Sequence, residues 1–240
     1  MKQFSKTAAV CLTMAALAAG IQSCSSDDDG GYSKAYANAV VTIKPNADNS
    51  QMYLQIDSTT LALPTNRKAS PYGTREVRAV ANLSPVEGKA QEPASRLVFV
   101  NWMDTILTKP VAANHNADGN AKAYGNDPVE IVNSFETVAE DGYLTLRFRT
   151  LWAGLEKHTV NLVHRTDANT PYLFTLYHNA NGETAGKVGD ALVAFRLPDT
   201  VDEASGAINI TLQWKSFTKN QQGDSTKTTV FKYVPRKKTN

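Results

Sequence analysis

The sequence predicts an all-β fold of two domains, a small barrel followed by an antiparallel β-sandwich. Short runs rich in valine, isoleucine, threonine, tyrosine and phenylalanine alternate with clusters of glycine, proline, asparagine and aspartate. The stretch from Lys109 to Pro128 holds few bulky apolar residues and divides these runs into two groups. After residue 23, no segment longer than about ten residues has apolar residues at helical spacing, so we expect no long helix in the folded part.

Residues 1–23 have the build of a secretory signal peptide. Two lysines supply a basic start, and the apolar run from Thr7 to Ile21 is too short to span a bilayer as a stable helix. Ser23 is a small residue directly before Cys24, and this pair resembles the bacterial lipobox, in which the leader is removed and the new N-terminal cysteine is acylated. We therefore expect acyl chains on Cys24 to anchor the protein in a membrane.

An acidic run follows the cysteine. It consists of Ser25, Ser26, Asp27, Asp28 and Asp29. This run resembles the export signal of Bacteroidota lipoproteins that are passed to the outer face of the outer membrane. Residues 24–38, which begin with the acylated cysteine and the acidic run, are interpreted as a tether. The predicted localisation is therefore the outer membrane, lipid-anchored and exposed on the cell surface.

Loss of the leader changes the charge and the cysteine content of the chain. Removing residues 1–23 from the 240-residue sequence leaves 217 residues, enough for two β domains with cores of their own. The formal charge falls from +2 to 0 because the leader contains two lysines and no acidic residue. A chain without a basic excess gives no reason to expect nucleic acid as a partner. Cys11 leaves with the leader and Cys24 is acylated, so the folded part has no disulfide.

The first domain, residues 39–110, is predicted to be an OB-like β-barrel. Five short strands in about 70 residues is the strand count of such a barrel. The predicted strands are Val40 to Lys44, Met52 to Ile56, Thr60 to Leu63, Glu76 to Asn82 and Leu97 to Trp102.

Residues 111–128 are predicted to be a linker, and residues 129–236 a β-sandwich. In the second domain Leu144, Leu146 and Phe148 alternate with polar residues, as in a strand that is buried on one face. About seven antiparallel strands are expected. Besides the strand around Leu146, they include Lys157 to His164, Tyr172 to His178, Ala191 to Leu197, Ile208 to Phe217 and Thr228 to Val234.

Several short stretches resemble the NigD-like lipoproteins of Bacteroidota. The stretches are Tyr53-Leu54-Gln55-Ile56-Asp57, Thr59-Thr60-Leu61, Leu63-Pro64-Thr65-Asn66, Ile106-Leu107-Thr108-Lys109, Asp127-Pro128-Val129, Asp141-Gly142-Tyr143-Leu144 and His158-Thr159-Val160-Asn161-Leu162. The resemblance covers nearly the whole mature chain and implies an N-terminal OB-type barrel followed by a C-terminal β-sandwich. The family has no established catalytic residues, so the resemblance implies an architecture and a location but no activity.

No catalytic motif is present. The sequence has no Gly-x-Ser-x-Gly elbow, no His-Glu-x-x-His pair, no phosphate-binding glycine loop and no Cys-x-x-Cys pair. We therefore expect a non-enzymatic protein without a cofactor.

Two histidines are weak candidates for a metal site. His158 and His178 lie on the same faces of their strands as the apolar residues, and a symmetric hairpin with paired numbers summing to 336 would set them opposite each other. Two imidazoles alone make a weak site. The structural alternative is that both histidines end their strands and form hydrogen bonds with the backbone.

Four sites have the Asp-Ser/Thr pattern used for O-glycosylation in exported Bacteroidota proteins. The acceptors would be Ser58, Thr105, Thr200 and Ser225. We expect neighbouring strands to block Ser58 and Thr105, whereas Thr200 and Ser225 are expected in loops.

These observations favour a surface-exposed lipoprotein that binds or shields an extracellular protein, peptide or glycan. Its acyl chains make the membrane a second partner. One alternative is a structural or pilus-associated subunit, which would need an unpaired sheet edge to accept a donated strand. The other is a hydrolase with a site in the cleft between the domains.

Overall fold

The computed structural model describes residues 38–167, 169–217 and 225–236. The leader, Cys24 and the acidic run Ser25 to Asp29 lie outside the described residues. The described chain is nearly all β, with two short helices, and forms a barrel and a sandwich as predicted. No helix in these ranges has both the length and the apolar character needed to cross a membrane.

Five strands close the N-terminal barrel in the order β1-β2-β3-β5-β4. They are β1 (Ala39–Pro45), β2 (Met52–Gln55), β3 (Leu61–Pro64), β4 (Val77–Val86) and β5 (Arg96–Thr105). All neighbours are antiparallel except β3 and β5. The five predicted strands are all present, and β4 runs four residues further than predicted, past a register shift between Asn82 and Leu83.

Strand alternation accounts for both the barrel core and the contact with the sandwich. Val41 and Ile43 of β1 point into the barrel, where they pack with Met52 and Leu54. The intervening Val40 points the other way and joins a separate buried cluster with residues that include Tyr143 of the second domain. Because β1 is buried on both faces, its sequence is a nearly continuous apolar run.

Two sheets form the C-terminal sandwich. One has the order β10-β11-β13-β14 and the other the order β6-β12-β9-β7, with β8 paired to β9. The strands are β6 (Thr108–Pro110), β7 (Glu130–Ile131), β8 (Val138–Glu140), β9 (Tyr143–Trp152), β10 (Thr159–Asp167), β11 (Thr170–Asn179), β12 (Lys187–Arg196), β13 (Ile208–Ser216) and β14 (Ser225–Tyr233), and the helices are α1 (Asn116–Tyr124) and α2 (Asp199–Asp202).

Two strand pairs in the sandwich are parallel, which differs from the predicted antiparallel arrangement. β11 pairs with β13, and β6 pairs with β12, both in parallel. The first pair arises because β12, which lies between β11 and β13 in the chain, belongs to the other sheet. After crossing to that sheet and returning, the chain enters β13 in the direction of β11.

The predicted linker, residues 111–128, contains secondary structure. Helix α1 spans Asn116–Tyr124, and Ala112 forms a bridge with Val163 of β10. The helix is short and polar, with only Asn120 buried, so it has no apolar stripe by which the sequence could reveal it. This segment is therefore held against the sandwich.

Candidate functional site

A cavity of about 530 Å³ opens between the two sheets of the sandwich. Phe148 of β9 and Val193 of β12 line it on one side, and Val160 of β10 lines it on the other. All three residues also belong to the hydrophobic core of the sandwich. The cavity is thus part of the space between the sheets, and its volume lies in the range of small-molecule sites.

The cavity exists because β12 carries small residues at one end. Gly189, Ala191, Val193 and Phe195 share one face of the strand, and their size increases along it. Ala191 pairs with Phe148 of the neighbouring strand β9. Because the side chains of glycine and alanine are too short to reach the facing sheet, the space between the two sheets is left unfilled here.

The mouth of the cavity is also apolar. Leu107, just before β6, and Trp152, at the end of β9, both line the cavity and are 66% and 54% exposed. Large apolar side chains exposed beside a cavity are typical of ligand-binding surfaces.

Two lysines, Lys109 and Lys157, line the cavity. The Lys109 ammonium donates hydrogen bonds to the carbonyl oxygen of Val160 and to Asn161 Oδ1, the latter at 2.8 Å. Burial lowers the pKa of Lys109, and the nearby charge of Lys157 lowers it further. Lys157 is exposed, also lines the cavity, and has no carboxylate partner among the described residues.

His158 lines the cavity and is the middle member of a chain of three hydrogen-bonded side chains, Glu183, His158 and His178. Its Nε2 lies 2.9 Å from Glu183 Oε2, and its Nδ1 lies 3.1 Å from Nε2 of His178. Nδ1 of His178 lies 3.1 Å from the carbonyl oxygen of Pro128. Glu183 and His178 are buried, with 8% and 1% of their surface exposed.

The hydrogen-bond partners assign the protons of this chain. A carbonyl oxygen can only accept, so His178 Nδ1 donates to Pro128. Burial, and then the charge of His158, lower the pKa of His178, which favours a neutral ring whose Nε2 lies 3.1 Å from His158 Nδ1.

Glu183 holds the other end of the chain. Burial acts to raise the pKa of Glu183, but hydrogen bonds from the backbone of Leu155 and Ala153 and from His158 lower it overall. An ionised carboxylate only accepts, so His158 donates from Nε2 to Glu183. Both ring nitrogens of His158 are therefore engaged within the protein.

The backbone before β7 positions His178. The Asp127 amide donates to the His178 carbonyl oxygen at 2.8 Å, and the Asp127 carboxylate accepts from the amide of Ala180 at 2.8 Å. Gly125 lets this segment approach closely, since a Cβ there would lie 2.6 Å from the His178 carbonyl oxygen. These contacts place Pro128 beside the imidazole.

The structure brings the two predicted histidines together, but in another register. Val160, rather than His158, pairs with His178, so the paired numbers sum to 338 instead of 336. A slip of two residues keeps every side chain on its face, and the rings meet diagonally with their centroids 5.1 Å apart. Within residues 38–167, 169–217 and 225–236, no three His, Cys, Asp or Glu side chains are grouped to hold a metal ion.

The predicted glycosylation acceptors differ in placement from what we expected. Ser58 lies in the turn after β2 and Thr105 ends β5, and both are exposed rather than blocked. Thr200 is exposed but lies in α2, not in a loop. Ser225 is the first residue of β14, where it pairs with Ser216. Modification at these four residues stays a prediction.

Sequence reasoning missed Glu183 and the two lysines of the cavity. Glu183 lies in the turn between β11 and β12, twenty-five positions from its partner His158. Lys109 begins the stretch poor in bulky apolar residues, and nothing in the sequence marks it as a cavity residue. A signal was present in Gly189 and Ala191, two small residues on the inward face of an otherwise apolar strand.

Comparisons with known proteins agree with this architecture. The profile of the NigD-like N-terminal OB domain matches residues 40–106, and that of the NigD-like C-terminal beta sandwich domain matches residues 110–233. No curated protein matches the chain.

Solved structures with the same fold come from Parabacteroides and Bacteroides species. A toxin-related protein from Parabacteroides distasonis is 29% identical, with a TM-score of 0.60 over 81% of this chain and 92% of its own. A protein of unknown function from Bacteroides vulgatus is 21% identical, with a TM-score of 0.63 over 82% and 90%. A NigD-like immunity protein from Bacteroides caccae is 18% identical, with a TM-score of 0.53 over 85% and 100%. Since the two profiles cover the barrel and the sandwich in this order, the chain belongs to the NigD-like family.

Proposed function

We propose that this chain is a non-enzymatic, lipid-anchored binding protein on the outer surface of the outer membrane, and that the sandwich cavity is its ligand site. The observation that carries the proposal is the cavity itself, about 530 Å³ of unfilled space lined by core side chains. A protein without a ligand gains packing energy by filling such space with larger side chains. Gly189 and Ala191 keep the cavity open at the expense of that energy.

The sequence around Cys24 supports the anchor. A leader, a small residue, a cysteine and the acidic run from Ser25 to Asp29 follow one another in the order found in exported lipoproteins. Each methylene group of an acyl chain that is buried in the membrane contributes about 0.8 kcal/mol to binding, so more than one chain gives stable anchoring.

The hydrogen bonds of His158 support binding rather than catalysis. Both of its ring nitrogens are hydrogen-bonded within the protein, to Glu183 and to His178. A general base needs a free lone pair within reach of the substrate. In this arrangement the imidazole is a fixed polar group of the cavity wall, with both nitrogens already engaged.

For the structural or pilus-associated alternative, the barrel provides no site, although the end strands β10 and β14 of one sandwich sheet each have a neighbouring strand on one side only among the described residues. All five barrel strands have two neighbours, so the barrel offers no edge to a donated strand. The hydrolase alternative places carboxylates in the contact between the domains. There Glu140 is engaged by Arg78 and Glu76 by Arg236, so these two acids act as ion-pair partners.

Two experiments test the proposal. Membrane fractionation should find the wild-type protein in the outer membrane and the Cys24→Ala variant in the soluble fraction. Protease added to whole cells should degrade the folded part, and protection in whole cells but not in lysed cells would contradict surface display.

The ligand site is tested with the neutral hydrophobic dye N-phenyl-naphthylamine. We expect its fluorescence to rise on binding to the wild-type protein and to stay low with Gly189→Leu, which fills the cavity. A Cβ at Gly189 would meet Trp152 at an ordinary 3.8 Å, so the variant should fold. Gly206→Leu is the matched control, because nothing lies within 4 Å of a Cβ there. Equal binding by both variants would exclude the cavity as the site.

A further inference from the structure

We infer that the cavity binds an amphipathic carboxylate, an apolar body with one anionic head group held by Lys109 and Lys157. This inference rests on the proposed function, since it assigns a ligand class to the same cavity. A fatty acid of medium chain length is the simplest member of the class.

The walls of the cavity select an apolar body. Phe148, Val160 and Val193 are core residues, and Leu107 and Trp152 extend the apolar surface to the mouth. A water-sized group occupies about 30 Å³, so the cavity has room for on the order of 18 such groups. A ten-carbon carboxylate, with about a dozen non-hydrogen atoms, therefore fits with room to spare.

The charges around the cavity select an anionic head. Lys109 donates only to neutral oxygens, those of Val160 and Asn161, so these bonds leave its charge uncompensated. Lys157 has no carboxylate partner within the described ranges. Burial, and then repulsion from the charge of Lys157, lower the pKa of Lys109. An anion between them would remove this repulsion.

Two acidic groups at the cavity, Glu183 and Asp190, are already engaged. Glu183 Oε2 accepts a hydrogen bond from His158 Nε2 at 2.9 Å, and its Oε1 accepts one from the Leu155 amide. Asp190, the carboxylate in the wall, lies 2.6 Å from nitrogens of both Arg147 and Arg149. Of the cations that line the cavity, the two lysines are thus left to receive a ligand's charge.

The head group is tested by calorimetric titration of the mature chain with three ligands of equal length. These are decanoate, decanol and decylammonium, each below its aggregation concentration. We expect decanoate to bind about three- to tenfold more tightly than decanol, the gain typical of one or two partly exposed ion pairs. Decylammonium should bind more weakly than decanol, and added salt should weaken only the binding of decanoate relative to decanol.

The lysines are tested with Lys157→Ala, which alters an exposed side chain and should not disturb folding. This variant should lose about two- to fivefold in decanoate affinity and nothing in decanol affinity. Lys89→Ala, which removes an exposed lysine of the barrel, is the matched control and should bind like the wild type. Lys109→Met is the second variant, and its unfolding should be measured in parallel because Lys109 also holds Val160 and Asn161.

The outcomes separate the inference from the proposed function. If all three decyl ligands bind equally and Gly189→Leu blocks them, the cavity is a binding site but the anionic head is excluded. If neither the decyl ligands nor the neutral dye binds, the proposed ligand site fails as well. Loss of decanoate affinity in Lys89→Ala equal to that in Lys157→Ala would also overturn the inference, because it would show a general effect of charge.

Discussion

Arg78 of the barrel and Glu140 of the sandwich form an ion pair, with Arg78 Nη2 lying 2.7 Å from Glu140 Oε1. The Arg78 side chain is completely buried, and its remaining nitrogens donate to Thr42 at 2.9 Å and to Thr145 at 3.2 Å. The guanidinium thus connects β1 and β4 of the barrel with β8 and β9 of the sandwich. Burial raises the pKa of Glu140, and the charge of Arg78 acts in the opposite direction.

Replacing Arg78 with leucine should strongly destabilise the protein. The variant leaves Glu140, whose side chain is only 16% exposed, without its partner, and breaking one side of a buried ion pair costs about 3–5 kcal/mol. Urea unfolding followed by circular dichroism measures the loss. Arg149→Leu is the matched control, because Arg149 forms a pair with Asp190 at the surface, and its loss should be much smaller. Equal losses in the two variants would show that the ion pair of Arg78 with Glu140 does not stabilise the contact between the barrel and the sandwich.

The stability of the protein should fall as the pH decreases from about 7 to 5, partly through His178. Its pKa is lowered below the ordinary value of 6.5, chiefly by burial, so the unfolded chain binds a proton at a higher pH than the folded chain. The stability contributed by the neutral ring is complete above about 6.5 and decreases as the pH falls toward the lowered pKa.

His178→Gln should show a weaker dependence over this range. Urea unfolding of both proteins at pH 7 and pH 5 gives the comparison. The carboxylates Glu76 and Glu183 titrate from an ordinary value of 4.5, with lowered pKa values in the fold, so their effects lie at lower pH. An unchanged slope in the variant would mean that the titration of His178 does not contribute.

The local patterns of the sequence were sufficient for the domain types and for the faces of the strands. Alternation places Val41 and Ile43 in the barrel core and Leu162 and Phe174 in the sandwich core. The same alternation put His158 and His178 on one face. The register was wrong by two residues because the β10–β11 hairpin is irregular, with a shift between Arg165 and Asp167.

Features that depend on distant parts of the chain could not be predicted. The parallel pairing of β6 with β12 joins residues 86 positions apart, and local alternation is the same in parallel and antiparallel strands. Glu183 reaches His158 only because two turns meet at one end of the sandwich. The cavity depends on Gly189 and Ala191 facing Val160 across the layers, and a sequence does not show which residues face each other.

Gly125→Ala should destabilise the protein through a steric clash. Gly125 has a φ of 81°, and a Cβ there would lie 2.5 Å from the Cβ of Asn179. Strain in the left-handed region and overpacking together predict a loss of about 2–4 kcal/mol. Gly73→Ala is the control with a similar φ of 68° and nothing within 4 Å, so about 1 kcal/mol is expected. Thermal or urea unfolding that gave the same loss for both would argue against the close approach at Gly125.

Glu183→Ala should loosen the loop between β9 and β10, which forms one side of the cavity mouth. Glu183 Oε1 accepts from the Leu155 amide at 3.0 Å, and Oε2 accepts from His158 at 2.9 Å. The alanine variant loses both contacts, so the Leu155 amide should exchange its hydrogen several times faster, as measured by NMR. Glu183→Gln keeps an oxygen that can accept from Leu155 and should show a smaller increase. Because Lys157 lies in the same loop, decanoate affinity should fall in the order wild type, Gln, Ala. Unchanged exchange in the alanine variant would mean that other contacts hold the loop.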